Sequence, residues 1–453
     1  MNFVEELRWR GMLHDIMPGT EDLLNKGMTS GYIGFDPTAD SLHVGSLAQI
    51  MTMIHFQRAG HKPLALVGGA TGMVGDPSGK SAERNLLSED VLQKNLAGIK
   101  AQLEKFLDFT SGVNSAEMVN NFDWFKDFTF LDFIREVGKH ITVNYMMAKD
   151  SVKKRLEGET GMSFTEFTYQ LVQGYDFYYL WKHKDCKLQM GGSDQWGNIV
   201  TGTELVRRKG GGEAFALTTQ LIKKSDGSKF GKTEGGNIWL DKSKTSVFDF
   251  YQFWLNTNDV DAKTYIRIFT LFDKHIIEKL EIEQDAAPHL RVLQKALAKD
   301  ITTRVHGEEE YLLVQKNIEF WQNKNFKWID LEELTENKFL KIFSSSNKFF
   351  IPKHTVHTLF NNVIDFLFEI YYPVENDTSK KLFESKGEIK RLIANGGLYI
   401  NKAKVNEDDK VNSYHKLFEK YIFLQKGKKD STLISICDDP WRELDYINKE
   451  TNS

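Results

Sequence analysis

Cysteine is scarce in this chain: Cys186 and Cys437 are the only two among 453 residues. That excludes a disulfide framework and a cysteine-rich zinc site, and it fits a reducing compartment. Long apolar runs are missing too, and no stretch approaches the ~18 residues that a bilayer span needs. The first ten residues carry Glu5 and Glu6 and lack a basic-then-apolar signal pattern. They are also too acidic for an organelle transit peptide, so the expected setting is the cytoplasm, with no membrane partner. There is no internal repeat and no low-complexity tract of consequence. A net charge of −4 argues against nonspecific coating of nucleic acid, DNA included, but leaves room for a local basic patch. With 41% hydrophobic and 27% charged residues the composition is that of an ordinary globular protein, long enough for more than one domain.

What is present alternates between strand-like and helix-like segments. Residues 32–35 read as a strand. Residues 44–59 read as a helix, with Leu47, Ile50, Met51 and Ile54 at helical spacing. Residues 63–67 form a short apolar run ending at Gly68-Gly69, as a buried parallel strand would. Ser88, followed by Glu89 and Asp90, predicts an N-cap for a helix running to about Phe106. Leu188-Gln189-Met190 predicts another strand, followed by a glycine turn and a helix from about Asn198. This alternation predicts an α/β fold with a Rossmann-like, doubly wound parallel sheet. Such sheets bind ligands at the carboxyl ends of their strands, where Gly34-Phe35-Asp36 and Gly68-Gly69 lie. Beyond them, residues 245–320 are helical in period, a flexible connection is expected within 325–375, and 381–429 hold twelve Lys/Arg against six Asp/Glu.

Five strings carry chemistry. Leu42-His43-Val44-Gly45-Ser46 follows Tyr32-Ile33-Gly34-Phe35-Asp36-Pro37-Thr38 and would bring a histidine, backbone N–H groups and a helix N-terminus to one point, suited to phosphate. About 190 residues further on, Lys229-Phe230-Gly231-Lys232-Thr233 lies in a polar, glycine-rich stretch that reads either as a solvated, mobile charge run or as a loop offering lysines to a polyphosphate. Tyr169, Gln173 and Asp176, spaced i, i+4, i+7, share one face of an otherwise aromatic helix from about 164 to 181. Such a polar stripe needs partners. A ligand with an ammonium and a hydroxyl would supply them, and so would an internal hydrogen-bond network. Residues 72–81 nearly imitate a Walker A loop, but the glycine spacing is one short and Pro77 removes a donor. Asp76 reads better as a carboxylate for an ammonium, with Lys80 and Arg84 as candidate phosphate contacts. In Gly191-Gly192-Ser193-Asp194-Gln195-Trp196, two glycines after a strand allow close approach of a ligand, and Asp194 could receive ribose hydroxyls.

Together these strings resemble the bacterial tyrosyl-tRNA synthetases, class I aminoacyl-tRNA synthetases, closely over residues 1 to about 320 and loosely beyond. The resemblance implies that His43 to Ser46 occupy the HIGH motif and Lys229 to Thr233 the KMSKS motif. It implies a tyrosine pocket of Tyr32, Asp76, Tyr169, Gln173 and Asp176, with the phenol hydroxyl between Tyr32 and Asp176. It implies ATP contacts from Gly34, Asp36, Thr38, His43, Gly45, Gln49, Gly192, Asp194, Gln195 and Lys232, and catalytic roles for His43, Ser46, Lys229, Lys232 and Thr233. Ser46 departs from the second histidine of HIGH. Phe230 and Gly231 depart from the Met and Ser of KMSKS.

The implied reaction activates L-tyrosine with ATP, releases pyrophosphate and transfers tyrosyl to tRNA(Tyr). ATP is then a substrate carrying Mg²⁺, with no tightly bound cofactor and no metal ligands in the protein. The implied domains are a catalytic domain at 1–228 with a helical insertion at about 120–165, a lysine loop and linker at 229–244, and a helical anticodon-region domain at 245–330. A connection at 331–375 leads to a small α+β RNA-binding domain at 376–445, resembling a ribosomal-protein module, with Lys386, Lys390 and Arg391 on tRNA phosphates. Homodimer contact is expected in 125–165, with Phe130, Phe133, Ile134 and Phe164. The alternatives are a synthetase-like RNA-binding protein without catalysis and a tryptophanyl-tRNA synthetase, which shares the fold but lacks the Tyr-x-x-x-Gln-x-x-Asp stripe.

Overall fold

A computed structural model describes residues 2–74, 88–110, 112–156, 161–233, 236–323, 326–344, 346–358, 362–374, 379–427 and 430–452. The chain divides into two compact units, Met1–Lys244 with Phe253–Val305, and Thr245–Gln252 with His306–Ser453.

The first unit is built on six strands, β1 (Leu13–Ile16), β2 (Ser30–Phe35), β3 (Lys62–Val67), β4 (Glu117–Asn120), β5 (Cys186–Gly192) and β6 (Phe215–Thr219), in the order β1-β6-β5-β2-β3-β4. All neighbours are parallel except the edge pair β1 and β6. From β2 the chain winds outward through β3 to β4, then returns to the far side of β2 with β5 and β6. The winding therefore reverses between β2 and β5, and the crevice at their carboxyl ends is the topological switch point where such sheets take ligands. The central strands are apolar because both faces are covered: every residue of β3 after Lys62 is buried.

The expected helices form, with small shifts. Helix Val44–Arg58 starts at His43, and helix Glu89–Leu103 starts at Ser88, although the Ser88 side chain makes no capping bond. Helix Phe164–Lys184 opens with a capping box between Ser163 and Glu166. The helix expected from Asn198 begins two residues earlier, at Trp196, because Gly191 and Gly192 belong to β5. The 120–165 insertion contains the short helices Phe122–Phe125, Phe130–Glu136, Val143–Met147 and Asp150–Leu156.

The later boundaries differ from those read in the sequence. Residues 245–330 are not one helical domain: the helices from Asp259 to Val305 lie in the first unit. The physical reason is visible at Arg10. Its buried guanidinium donates to the carbonyls of Arg267 (2.6 Å), Thr270 (2.8 Å) and Phe272 (2.8 Å), closing the end of helix Asp259–Phe269 onto the N-terminal segment.

Nor is 331–375 a connection. After a short hairpin, β7 (Lys232–Thr233) with β8 (Gly236–Asn237), the second unit forms a sheet of β9 (Asn347–Pro352), β10 (Tyr371–Pro373), β11 (Ser379–Lys381), β12 (Leu398–Ile400), β13 (Ala403–Lys404), β14 (Tyr421–Lys426) and β15 (Asp430–Cys437). The order is β11-β10-β9-β15-β14-β12-β13, which places β9 well inside the sheet and parallel to β15. Phe339, Phe343 and Phe350 are fully buried with Phe320, Trp328 and Phe423, so the phenylalanines that made this stretch hard to assign are a core. The second unit thus starts well before residue 376. Among the described residues no helix is long and apolar enough to cross a membrane.

Candidate active site

A cleft of about 700 Å³ opens at the carboxyl ends of β2 and β5. It is lined by Tyr32, Gly34, Asp36, His43, Gly45, Ser46, Gln49, Tyr169, Gln173, Asp176, Gly192, Asp194, Gln195 and Lys229. Segments spread over almost 200 residues of sequence meet there because the switch point gathers them. Thr38 and Lys232, expected at the same site, are not on its lining, and Asp76, Lys80, Arg84 and the Thr233 side chain lie outside what the structure describes.

The closed end is polar and buried. Asp176 is 1% exposed; its carboxylate accepts from Asn121 Nδ2 at 3.1 Å and from Trp124 Nε1 at 2.9 Å. The Trp124 indole is held in place by stacking on Tyr179, ring centroids 4.5 Å apart. Burial pushes the Asp176 carboxyl up to about 8; the Asn121 and Trp124 bonds pull against that, and Asp36 adds to it. Tyr32 is 1% exposed, and its hydroxyl is buried without a hydrogen-bond partner. Burial, reinforced by Asp176, raises its pKa well above the ordinary phenol value, so it remains a donor. In the parallel register Gln189 sits beside Tyr32, and the Gln189 Oε1 is likewise buried and unpartnered. Two orphaned groups beside a buried carboxyl are costly in a free protein, and a ligand carrying a hydroxyl would satisfy them.

One helical turn from Asp176, Gln173 accepts from Asn198 Nδ2 at 3.0 Å and donates to Gln195 Oε1 at 3.3 Å, while the Tyr169 hydroxyl donates to Asp36 Oδ2 at 3.4 Å. The sequence reading put Asp36 on the nucleotide side; the structure places its carboxylate beside Tyr169, at the end expected to hold an ammonium.

On the other flank, His43 caps helix Val44–Arg58. Its Nδ1 accepts from the Gly45 N–H at 3.0 Å, so the neutral ring carries its proton on Nε2. Gly45 is required here: a Cβ would stand 2.6 Å from the His43 ring. Gln49 is oriented by a chain of donors. Thr219 Oγ1 donates to the Gly191 carbonyl at 3.4 Å and therefore accepts from Gln49 Nε2 at 2.9 Å, which leaves the Gln49 Oε1 as a buried acceptor without a partner at the cleft.

The lysine loop is tied to the histidine motif by backbone. Val44 N–H donates to the Ile238 carbonyl and Leu240 N–H to the Leu42 carbonyl, each at 2.9 Å, and His43 bridges Trp239. The loop read as mobile is therefore anchored. Phe230 is buried among Phe253, Trp254, Tyr265 and Phe269 at ring distances of 5.0–5.9 Å. Gly231 has φ +77°, and a Cβ there would meet Val44 at 2.7 Å, which accounts for glycine at this position. The tip is exposed. Lys223 and Lys229 bridge across a turn closed by Gly227, and Ser225 N–H donates to Asp261 at 2.8 Å.

In the second unit, Lys386 and Lys390 are exposed and ion-paired with Asp365 (2.6 Å) and Glu407 (3.0 Å), and Arg391 Nε donates to the Gly387 carbonyl. In the insertion, Phe130, Ile134 and Phe164 are exposed, as are Leu131 and Val143. Phe133, expected on that surface, is half-buried against Phe125 and Phe128. Among the described residues no three metal-ligating side chains converge.

Sequence reasoning missed Thr71, Asn121, Trp124, Gln189 and Asn198. A glutamine inside the apolar β5 was a usable signal for Gln189. Asn121 and Trp124 follow β4, whose four residues carry no strong strand pattern, and nothing local marked them.

A family model for class I tRNA synthetases (W and Y) matches residues 25–320, and one for the SYY-like C-terminal domain of tyrosine–tRNA ligase matches 374–434. The tyrosine–tRNA ligase of Bacteroides fragilis is 58% identical over 440 residues, covering 96% of this chain and 99% of that protein. That of Cytophaga hutchinsonii is 55% identical over 433 residues with the same coverage. A C-terminally truncated mitochondrial tyrosyl-tRNA synthetase from Aspergillus nidulans superposes with a TM-score of 0.63 at 33% identity, covering 70% of this chain and 93% of that one.

Proposed function

Because this chain belongs to the class I tRNA synthetases of the tryptophan and tyrosine group, and there to the tyrosine–tRNA ligases, we propose that the cleft between β2 and β5 is where it activates L-tyrosine. The enzyme is an aminoacyl-tRNA ligase: it forms tyrosyl-adenylate from tyrosine and ATP with release of pyrophosphate, then passes the tyrosyl group to the 3′ end of tRNA(Tyr).

The observation that carries the assignment of the pocket is its closed end. The orphaned Tyr32 hydroxyl faces a site walled by the buried Asp176 carboxyl. A substrate phenol accepts from Tyr32 and donates to Asp176; phenylalanine leaves both without a partner, and the indole of tryptophan, a donor only, leaves Tyr32 without an acceptor. Tyr169, Gln173 and the carboxylate of Asp36, with Asp76 from the sequence motif, take the ammonium. The substrate carboxylate then points toward the open side, where it attacks the α-phosphorus of ATP. No protein nucleophile is needed, so catalysis consists of alignment and of stabilising charge on the phosphates. His43 through Nε2–H and Lys229 serve that role on the cleft wall. Lys232 and Thr233, the last two residues of the KMSKS-like string, are assigned to the departing pyrophosphate. The backbone at Gly34, Gly45 and Gly192 lets the nucleotide approach closely, Asp194 and Gln195 take the ribose and the activated carboxyl, and Gln49 offers an acceptor. Ser46, a shorter donor than histidine, lies beside the phosphates. Mg²⁺ arrives on ATP.

The basic helix Lys386–Ala394 in the second unit supports tRNA binding, since its exposed ion pairs are weak and exchange readily for phosphates. The exposed apolar side chains of the insertion support a homodimer. A cytoplasmic location fits the translation role of the family.

Pyrophosphate exchange into ATP, measured with tyrosine, phenylalanine and tryptophan in turn, tests the reading. Tyrosine alone should stimulate it. Equal stimulation by tryptophan, or tRNA binding with no exchange, would overturn it.

A further inference from the structure

The sequence reading gave Thr71 no role. It stands at the start of helix Thr71–Val74, is 3% exposed and lines the cleft. Its hydrogen bonds have a fixed direction. Ala70 N–H donates to Asn121 Oδ1 at 2.6 Å, so the Asn121 amide faces one way only. Its two N–H protons then go to Asp176 Oδ2 and to Thr71 Oγ1, each at 3.1 Å. With its oxygen already accepting, Thr71 turns its own proton to Asp36 Oδ1, 3.3 Å away. The other Asp36 oxygen receives the Tyr169 hydroxyl.

The backbone is shaped for this meeting. A Cβ on Gly68 would lie 2.2 Å from Thr71 Oγ1 and 2.9 Å from Asp36 Oδ1, so no other residue at 68 leaves room for the two to approach. Asp36 follows the last residue of β2 and is only half-buried. A carboxylate in that position has several rotamers open to it. Donors on both oxygens select a single one.

We propose that Thr71 is a positioning residue for the ammonium end of the substrate: it holds the Asp36 carboxylate facing the ammonium and, through Asn121, shares one hydrogen-bond chain with the carboxyl that reads the phenol. The proposal rests on the reading of the cleft as a tyrosine site. Thr71 does not touch the reacting atoms, so its removal acts on substrate affinity rather than on the chemical step.

The test uses the full-length protein, pyrophosphate exchange, and two competitive inhibitors that each lack one end of tyrosine: tyramine, which keeps the ammonium, and 3-(4-hydroxyphenyl)propionate, which lacks it. Thr71→Val removes the donor at nearly constant volume. The KM for tyrosine and the inhibition constant for tyramine should each rise about tenfold, the scale of one hydrogen bond to a charged group. The constant for 3-(4-hydroxyphenyl)propionate and the kcat should stay within about twofold, because Asn121 keeps its bond to Asp176. Thr71→Ser, which retains the donor, should restore both affected constants, and it serves as the test should the valine variant fold poorly. An equal rise for both inhibitors would mean that Thr71 merely packs, and an unchanged tyramine constant would remove it from the site; either result overturns the proposal. Absence of tyrosine-dependent exchange in the unaltered protein would instead strike the reading of the cleft, and the proposal with it.

Discussion

Replacing Tyr32 by phenylalanine should weaken function while strengthening the fold. The Tyr32 hydroxyl is buried and unpartnered, and its ring sits edge-on to Phe177 with centroids 5.5 Å apart. Removing the hydroxyl breaks no hydrogen bond in the free protein and leaves the ring contact intact. An unsatisfied buried hydroxyl costs about 1–3 kcal/mol, so the variant should gain about 1–2 kcal/mol. In a unit of this size that corresponds to a rise of roughly 2–5 °C in the melting temperature of the first unit. Tyrosine, however, loses a donor to its phenol oxygen. One neutral hydrogen bond contributes about 1 kcal/mol net, which raises the KM for tyrosine about fivefold. Phenylalanine should be unaffected, because the hydroxyl lacks a partner whether or not phenylalanine is bound. Differential scanning calorimetry of the free protein and pyrophosphate exchange with both amino acids measure the two halves. A lower melting temperature, or an equal loss for tyrosine and phenylalanine, would refute the reasoning.

Further outcomes are expected elsewhere in the molecule. Asp176 has a folded-state pKa of about 8, raised above its unfolded value, so the folded protein holds its proton more tightly. Stability from this group is therefore intact below about pH 4 and falls as pH climbs toward 8; Asp176→Asn should flatten the slope of unfolding free energy in that window, and an unchanged slope in urea titrations would contradict the buried, protonated carboxyl. Gly231→Ala forces a left-handed residue and a clash with Val44. The kcat of exchange should fall at least tenfold, with tyrosine KM within twofold, and a normal kcat would detach the hairpin from catalysis. A chain ending at residue 375 keeps β9 and β10 but loses β14 and β15, leaving Phe339, Phe343 and Phe350 uncovered. It should aggregate on size-exclusion chromatography; a monodisperse fragment with two melting transitions would show that the sheet is not one folding unit.

Legibility followed the range of the interactions. The strand at 30–35, the helix at 44–58 and the polar stripe of Tyr169, Gln173 and Asp176 are encoded by neighbours a few residues apart, and they formed close to where the pattern put them. The 331–375 stretch failed because its phenylalanines are satisfied by β14 and β15, almost a hundred residues later; with no local period, a buried run between charged residues resembles a linker. Asp36 shows the same limit at one residue. Its motif marked it as a ligand group, while a bond from Tyr169, on a helix over 130 residues away, determines where its carboxylate stands.

The sequence alone determined the chemistry available: a histidine before a helix, lysines on a glycine-rich loop, a tyrosine, an amide and a carboxyl at helical spacing, and the order of segments that makes a doubly wound sheet. Only the tertiary structure decided which of these meet. The reversal of winding between β2 and β5 opens the cleft, the backbone bonds from Leu42 and Val44 to Ile238 and Leu240 join two distant motifs, and Asn121 and Trp124 turn Asp176 into a buried acceptor. Spacing along a chain constrains groups within a helix or strand. Burial, orphaned hydroxyls and shifted protons arise only when segments far apart in sequence exclude water together.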